Sequence, residues 1–394
     1  MPSPPPWVSP DTLPPAGRRT SWLVVLASIV LGLGAVVVIV LIVVSGGPEA
    51  ALVGFSLAAI PVPFLVASFL WLDRYEPEPW RYVITALGWG AVMATTLGAG
   101  FTAVGSYLSS TGGTLETVIW APLAEEFAKG LFILVVVLFR RREVDGLLDG
   151  IVYAGMVGIG FAFTENVLYY MASYSGLGAQ TGGLVPVTAL FVVRGVIGPF
   201  AHPLFTSAIG IGLGLALQSR SWLGRVLWPL LGFVAAVGLH ALWNASAVTG
   251  GGSAFLVTYV VAIVPALGLV LGLALWARRR EGHVLTASLA DCARLGWLHP
   301  AEIPWISSLS YRRSARAYAH RHGGPLAARA VKEYQQAVAE LGFLHARVMR
   351  GRAPRDAAAM QAEIRQRMAG WRPFVVLPPP LPEPPPRLGD AGMR

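Results

Sequence analysis

Eight long apolar runs, separated by short polar loops, constrain the fold of this chain more than any other feature. Each run is long enough to cross the hydrocarbon core of a bilayer as an α-helix, which takes about 20 residues. The runs lie at about 22–45, 51–72, 82–108, 117–139, 148–172, 186–218, 222–248 and 254–277. They predict an all-α, polytopic membrane helix bundle with eight spans.

The composition agrees with a membrane protein and excludes several other classes. Charged residues make up 13% of the 394 positions, whereas soluble domains carry about 25%. Arg and Lys gather next to the membrane ends and in the C-terminal region, so topology and anionic lipid explain the net charge of +9 without nucleic acid. The single cysteine, Cys292, excludes an intrachain disulfide and a cysteine-based zinc cluster.

Positive charge alternates strictly from loop to loop, and this pattern predicts the orientation of the bundle. The N-terminal arm, the second, fourth and sixth loops and the exit from the last span all carry arginine. Neither Arg nor Lys occurs in loops 46–50, 109–116, 173–185 and 249–253. Because positively charged loops stay in the cytoplasm, both termini are predicted to be cytoplasmic.

The chain divides into a transmembrane domain at 21–277 and three flanking regions. Residues 1–20 are rich in proline and polar residues and are predicted to be a disordered arm. Residues 278–371 show helical periodicity with a break at Gly323–Gly324, which predicts a small cytosolic helical domain or hairpin. Residues 372–394 form a Pro-rich tail that is predicted to be disordered.

Two adjacent glutamates, Glu125 and Glu126, stand inside the fourth apolar run. A charged side chain at the centre of a membrane helix costs about 2.5–3.5 kcal/mol on insertion scales, so such a pair is expected only beside a protein-lined polar cavity. Lys129 shares a helix face with Glu125 and can pair with it, while Glu126 lies about 100° around the helix. Two carboxylates in such different surroundings suit general acid–base chemistry, and a packing role for the ion pair is the alternative.

Three later spans add polar residues to the candidate site. Glu165 lies deep in the fifth span. His202 lies in the sixth span, near Arg194, and is bracketed by prolines, which break helices at places that often line a cavity. His240 and Asn244 are four residues apart in the seventh span and therefore share a face. Each of them alone also fits a structural role between helices.

The depths of these residues predict one shared site. At 1.5 Å per residue, Glu125 lies about 12 Å below the outer end of its span, and Glu165 and His240 lie about 10 Å below theirs. Residues placed only by packing have no reason to share a depth. His202 joins this layer only if the sixth segment re-enters the membrane or breaks at Pro199.

Two hydrolytic chemistries fit such a layer, and spacing alone does not choose between them. In the first, a divalent metal, expected to be zinc, is bound by Glu165, His202 and His240, and one of the adjacent glutamates acts as the base. In the second, a glutamate acts without a metal on a water molecule held by His240 and Asn244.

Taken together, these motifs resemble the PrsW family of bacterial intramembrane proteases, which is distantly similar to CAAX-prenyl endopeptidases and to bacteriocin-immunity-type membrane proteases. The resemblance covers about residues 50–277. The residues that carry it are Glu125-Glu126-x-x-Lys129, Asp149-Gly-Ile-Val-Tyr, Phe161-Ala-Phe-Thr-Glu165-Asn166, the His202 segment and His240-x-x-x-Asn244.

The resemblance implies an intramembrane endopeptidase that cuts a membrane-anchored protein near the extracytoplasmic face, as in the first-site cleavage of an anti-sigma factor. Its partners would be this substrate and the lipid bilayer. The acidic pair would be essential, and Glu165, His202 and His240 would bind a metal or hold water, with Asn244 beside His240. Glu165 stands where the CAAX relatives have a histidine.

Two other classes of function stay open from the residues alone. A proton-coupled transporter uses intramembrane Glu and His chains as relays, and a non-catalytic membrane partner could keep the same fold. Transporters usually contain internal inverted repeats, whereas the acidic pair occurs once in this chain. The sequence therefore favours the protease.

Overall fold

The chain folds into α-helices joined by short turns, and the predicted all-α fold class is confirmed. The structure, a computed structural model, describes residues 22–110, 113–139, 144, 146–176, 181–249, 251–354 and 356–380. These residues contain no β-strand. The α-helices are α1 (Trp22–Gly46), α2 (Pro48–Ala59), α3 (Val62–Leu72), α4 (Trp80–Gly88), α5 (Thr95–Ser109), α6 (Ala121–Phe139), α7 (Leu147–Ser175), α8 (Leu184–Phe191), α9 (Ala201–Gln218), α10 (Trp222–Thr249), α11 (Gly251–Thr258), α12 (Val264–Arg294), α13 (Ile303–Ser307), α14 (Leu309–Met349) and α15 (Ala357–Trp371).

Four π-helical segments join or extend these helices in the described chain: Trp89–Ala94, Glu116–Trp120, Val192–Ile197 and Tyr259–Ile263. Such wide turns are rare and often mark functional sites. Two of them lead into the polar region found in the sequence. The second runs directly into α6, and the third carries Arg194.

Seven helices in the described part of the chain are long and apolar enough to cross a membrane. They correspond to seven of the eight apolar runs. The remaining run, at 117–139, also forms helix of spanning length, but its two glutamates and one lysine make it more polar. The count of eight spans and the cytoplasmic position of both termini stay predictions, and the arginine loop at 140–142 lies outside the described residues.

Helix α7 forms the centre of the bundle and is buried along nearly its whole length. Its glycines permit this burial, because neighbouring backbones lie where a side chain would otherwise stand. A Cβ atom on Gly150 would lie 2.2 Å from the carbonyl oxygen of Gly210 in α9. On the other side, a Cβ atom on Gly160 would lie 2.0 Å from the carbonyl oxygen of Leu87 in α4. The backbones of α4 and α9 therefore pack directly against the backbone of α7.

Replacing Gly210 by alanine is expected to destabilise the bundle. The new Cβ atom would lie 2.1 Å from the carbonyl oxygen of Gly150, and only a separation of α7 from α9 relieves this clash. Overpacking of this kind costs about 1–3 kcal/mol. Thermal unfolding of the purified protein measures the effect. Gly268→Ala in α12 is the matched control, because no heavy atom of the described residues lies within 4 Å of its new Cβ. Equal stability of the two variants would contradict the close α7–α9 contact.

The chain divides into two compact units at Arg278 and Arg279. In the C-terminal unit, α14 breaks at Gly324, whose φ of 73° lies in the left-handed region that favours glycine. The two arms of α14 pack against each other as a hairpin, and the side chain of Gln335 in the second arm donates to the Arg312 carbonyl in the first. The buried members of the shared cluster are Trp305, Ala315, Ala319, Ala327 and Val331.

The predicted arm at 1–20 and the end of the predicted tail at 381–394 lie outside the described residues. The first part of the tail is packed rather than disordered. Arg372–Phe374 forms a 3-10 turn, and residues 375–377 lie against the cluster of the α14 hairpin because their Val and Leu side chains cover it. The cytosolic location of this unit stays a prediction.

Candidate active site

Helix α6 carries its acidic pair and lysine into the centre of the bundle. Its buried face includes Glu126, Lys129 and Ile133, spaced as neighbours on one side of a helix. Glu126 and Lys129 are fully buried, and Lys129 Nζ donates to Glu126 Oε1 at 2.7 Å. Glu125 Oε2 lies farther away, 3.6 Å from the same nitrogen. The lysine thus pairs more closely with Glu126 than with Glu125, contrary to the pairing favoured from the sequence, because Glu126 is the carboxylate on the buried face.

His240 lies on the face of α10 that is buried in the bundle. Its Nδ1 lies 3.0 Å from Glu126 Oε1, and its Nε2 lies 3.8 Å from Glu125 Oε2. The ring of Phe205 stacks on the imidazole with 5.0 Å between centroids. Because an ionised carboxylate only accepts hydrogen bonds, Nδ1 carries the hydrogen and Nε2 keeps its lone pair, on the side of Glu125.

The sixth apolar run breaks at residues 198–200, and α9 begins at Ala201. His202 therefore lies in the first turn of α9, and the break it needed to join the other polar residues is present. Its Nε2 lies 2.7 Å from Glu165 Oε2 in α7, and its Nδ1 lies 3.2 Å from Lys129 Nζ. The ammonium group only donates, so Nδ1 accepts and Nε2 carries the hydrogen that Glu165 accepts. The rings of His202 and His240 meet edge to face, 5.0 Å apart.

Arg194 supplies the cation that Glu165 lacks on its own helix. One terminal nitrogen of Arg194 is paired with Glu165 Oε2, and its Nε donates to Asn166 Oδ1 at 2.6 Å. The guanidinium carbon lies 4.2 Å from the centroid of the Tyr169 ring. In the sequence Arg194 stands out only as a neighbour of His202. Its partner is 29 residues away on another helix, and no local spacing indicates such a pair.

Six of the seven site residues predicted from the sequence converge. This polar cluster consists of Glu125, Glu126, Lys129, Glu165, His202 and His240. Asn244 does not join it. Its amide nitrogen lies one turn farther along α10 and donates to the Thr117 carbonyl at 2.9 Å, so it fastens α10 to the segment that precedes α6.

Thr206 is a residue of this site that the sequence reasoning missed. Its hydroxyl donates to Glu126 Oε2 at 3.1 Å, and the side chain is fully buried. It follows His202 by four residues and therefore lies on the same face of α9. That spacing is the signal by which it could have been found.

Three members of the polar cluster are arranged so that they could hold a metal ion. Glu125, His202 and His240 each offer one ligand atom, and these atoms lie within 4.8 Å of one another. Glu125 Oε2 is buried and accepts no hydrogen bond from the described residues. A buried oxygen without a donor is costly, and a cation would satisfy it. Two imidazoles and one carboxylate are also typical donors of catalytic zinc, so the residues fit a divalent metal.

Glu165, the carboxylate ligand expected from the sequence, has a different position in this arrangement. Its Oε2 atom is shared by Arg194 and by Nε2 of His202. A second carboxylate that accepts the hydrogen of a metal-binding imidazole is common behind metal ligands, where it orients the ring. The geometry thus favours Glu125 over Glu165 as the carboxylate nearest to a metal.

The polar cluster is open on one side. The side chains of Glu125, Glu165 and Arg194 retain 16%, 17% and 14% of their accessible surface. The other four members of the cluster are buried. The cluster is therefore accessible on the side that Glu125 and Glu165 face.

Comparison with known proteins gives a consistent result. Residues 78–276, about half of the chain, match the family described as PrsW family intramembrane metalloprotease. The chain is 26% identical over 194 residues to Protease PrsW of Geobacillus kaustophilus, which covers 48% of this chain and 77% of that protein. It is 27% identical over 187 residues to Protease PrsW of Oceanobacillus iheyensis, covering 48% and 80%. For Protease PrsW of Bacillus subtilis the values are 28% over 192 residues, covering 46% and 76%. No solved structure matches.

Proposed function

The chain belongs to the PrsW family of intramembrane metalloproteases, and on that premise we propose that it hydrolyses a peptide bond of a membrane-anchored protein at the polar cluster. The observation that carries this proposal is the convergence of Glu125, His202 and His240 from three helices beside an opening. The transporter and the non-catalytic partner gain no support from the comparisons, since the matched family and the named relatives are proteases.

We propose zinc as the metal, held by Glu125, His202 and His240. When bound, a divalent ion would act as a Lewis acid and lower the pKa of a water molecule bound to it. The chain's own contribution is to fix the imidazoles. Glu126 accepts from Nδ1 of His240, and Glu165 accepts from Nε2 of His202. Each ring is thereby held with a lone pair on its other nitrogen. On His202 this lone pair accepts from Lys129 Nζ, so the lysine would have to give up that hydrogen bond for Nδ1 to bind a metal.

Glu125 has a role in either chemistry, although the metal chemistry expected from the sequence used Glu165 as the carboxylate ligand. With a metal, the Oε2 atom of Glu125 would complete the donor set, and without one the same oxygen would accept the proton of the attacking water. Glu126 is not free for either role, because its two oxygens accept from Lys129, His240 and Thr206. The family assignment favours the first chemistry.

The aromatic side chains around the cluster limit the access of water to its polar groups. Phe205 stacks on His240, and Phe161 lies under Lys129, whose Nζ is 3.6 Å from the ring centroid. A low dielectric strengthens the ion pair and the hydrogen bonds that position the imidazoles. A bound substrate would then cover the exposed side of the cluster, next to Glu125.

We propose that the substrate is a protein anchored by a single span, such as an anti-sigma factor, and that it is cut near the extracytoplasmic face. The shared depth of Glu125, Glu165 and His240 in the outer halves of their spans supports this position, given cytoplasmic termini. Reconstituting the protein with a single-span substrate and mapping the products by mass spectrometry tests it. We expect a cut within about two helical turns of the outer membrane face. A cut at the cytoplasmic end of the substrate's span would contradict the proposal.

Removing divalent metal is expected to abolish cleavage, and Zn²⁺ is expected to restore it. His240→Ala should reduce the metal content of the purified protein, because it removes one of the three donors. His299→Ala is the matched control, since His299 lies in the C-terminal unit. Metal per chain by mass spectrometry and cleavage rate are measured together. Full cleavage by metal-free protein would reject the metal and leave the glutamate chemistry at Glu125.

A further inference from the structure

Arg194 is a partly buried cation in the bundle that the proposed hydrolysis does not use. It lies in the π-helical segment Val192–Ile197, seven residues before α9 begins with the turn that carries His202. The two sides of the break at 198–200 thus each contribute one residue to Glu165. Arg194 reaches its Oε2 atom from one side, and His202 reaches the same atom from the other.

We propose that Arg194 is a positioning residue, which holds Glu165 and thereby keeps the imidazole of His202 in the orientation in which Glu165 accepts from Nε2 and Nδ1 keeps its lone pair. This inference rests on the proposed function, because it concerns the same site. It assigns Arg194 no contact with substrate or with the reacting atoms.

The first support is the way in which α7 holds the guanidinium. Glu165 and Asn166 are adjacent on α7, and each accepts from a different nitrogen of Arg194. Tyr169 follows one turn later and packs against the guanidinium plane. A planar group held at two nitrogens and at its face has little freedom to rotate, and lysine, with a single ammonium group, cannot reproduce this geometry.

The second support is the approach of the Arg194 segment to α7. At Gly195, the residue after the arginine, an added Cβ atom would lie 3.2 Å from the hydroxyl of Tyr170 in α7. Gly198, at the break, donates from its backbone nitrogen to the Val193 carbonyl at 2.9 Å. The segment is therefore fixed against α7 just before the chain turns toward His202.

The third support is the cost of leaving Glu165 unpaired. Without Arg194, the one hydrogen bond from His202 would have to hold a carboxylate that is largely out of water. Breaking a buried pair by removing one partner is strongly destabilising, so the carboxylate would turn toward its open side and release the imidazole. The Nε2 side of the His202 ring would then no longer be held, which leaves the ring to the hydrogen bond from Lys129 at Nδ1.

Zinc affinity separates positioning from a purely electrostatic role, because the two predict opposite signs. If Arg194 acts only through its charge, Arg194→Met makes the site more negative and tightens Zn²⁺ binding. If it positions His202, Arg194→Met weakens Zn²⁺ binding by about 10- to 100-fold, the range typical for partners behind metal ligands. Arg194→Lys keeps the charge but loses the planar guanidinium that donates from two nitrogens, so we expect it to restore little of the affinity. Arg220→Met is the matched control, since Arg220 lies in the loop between α9 and α10.

Titration of Zn²⁺ into the purified full-length variants is the experiment, combined with ¹⁵N NMR of the histidine rings. The resonances of His202 are assigned by comparison with His202→Asn. We expect the hydrogen on Nε2 in the wild-type protein, in Arg220→Met and in Arg194→Met, because Lys129 still donates to Nδ1, and a shift of the Nε2 resonance in Arg194→Met alone, because Glu165 no longer holds that nitrogen. Unchanged or tighter Zn²⁺ binding in Arg194→Met, or an unchanged Nε2 resonance of His202, would overturn the inference. If the wild-type protein binds no Zn²⁺, the metal proposal fails, and the Nε2 resonance still decides the role of Arg194.

Discussion

Replacing Glu125 by glutamine should lower the rate of peptide-bond cleavage by at least about 10²-fold, because it removes a donor to the proposed metal or, in the metal-free chemistry, a positioned base worth about 10²- to 10⁴-fold. The protein should remain folded, because Glu125 Oε2 accepts no hydrogen bond from the described residues and Lys129 keeps its closer partner, Glu126. Cleavage of a single-span substrate in proteoliposomes measures the rate, and thermal unfolding in detergent measures the stability.

Two neighbouring glutamates serve as controls for Glu125→Gln. Glu116→Gln changes a carboxylate in the segment that precedes α6 and should leave the rate unchanged. Glu126→Gln should reduce both rate and stability, because Glu126 accepts from Lys129, His240 and Thr206. Wild-type activity in Glu125→Gln, at equal protein level, would remove Glu125 from the chemistry and with it the proposed site.

Replacing Lys129 by methionine should produce the largest loss of stability, about 3–5 kcal/mol, the usual cost of removing one partner of a buried ion pair. Lys129 is fully buried between Glu126 and Nδ1 of His202, with the Phe161 ring against its ammonium group. Without it, the carboxylates of α6 lose their nearest cation. Thermal unfolding of the purified variant measures the loss.

The double variant Lys129→Met/Glu126→Gln distinguishes an ion pair from mere packing. If the cost of Lys129→Met comes from an uncompensated buried charge, removing that charge as well should restore part of the stability. Lys332→Met is the matched control, because Lys332 is exposed on α14. Additive losses in the double variant would show that the side chain of Lys129 stabilises the bundle through its volume and not through its charge.

Much of the fold follows from the apolar pattern of the sequence. The apolar runs place the spanning helices because only helices satisfy their backbone groups in a bilayer. The prolines near His202 indicate a break, and the structure places it at residues 198–200. The Gly323–Gly324 pair marks the turn of the C-terminal hairpin, where Gly324 adopts a left-handed conformation.

The site is predictable where helix geometry decides it and not where separate helices meet. Shared depth brings Glu125, Glu165 and His240 together, because rise per residue is fixed. Rotation of each helix about its axis is not fixed by depth. It decides that Lys129 favours Glu126 over Glu125 and that Glu165 meets a cation from another segment. Such choices depend on packing between helices, which one sequence does not encode locally.

X-ray absorption spectroscopy at the zinc edge, on protein loaded with one Zn²⁺ per chain, tests the central claim most directly. The account predicts two imidazole nitrogens at about 2.0–2.1 Å and a carboxylate oxygen in the first shell. One imidazole should disappear in His202→Asn and one in His240→Asn, and the carboxylate should disappear in Glu125→Gln. A zinc ion with no histidine in its shell, or a shell that these three substitutions leave unchanged, would contradict the convergence of Glu125, His202 and His240 on one metal.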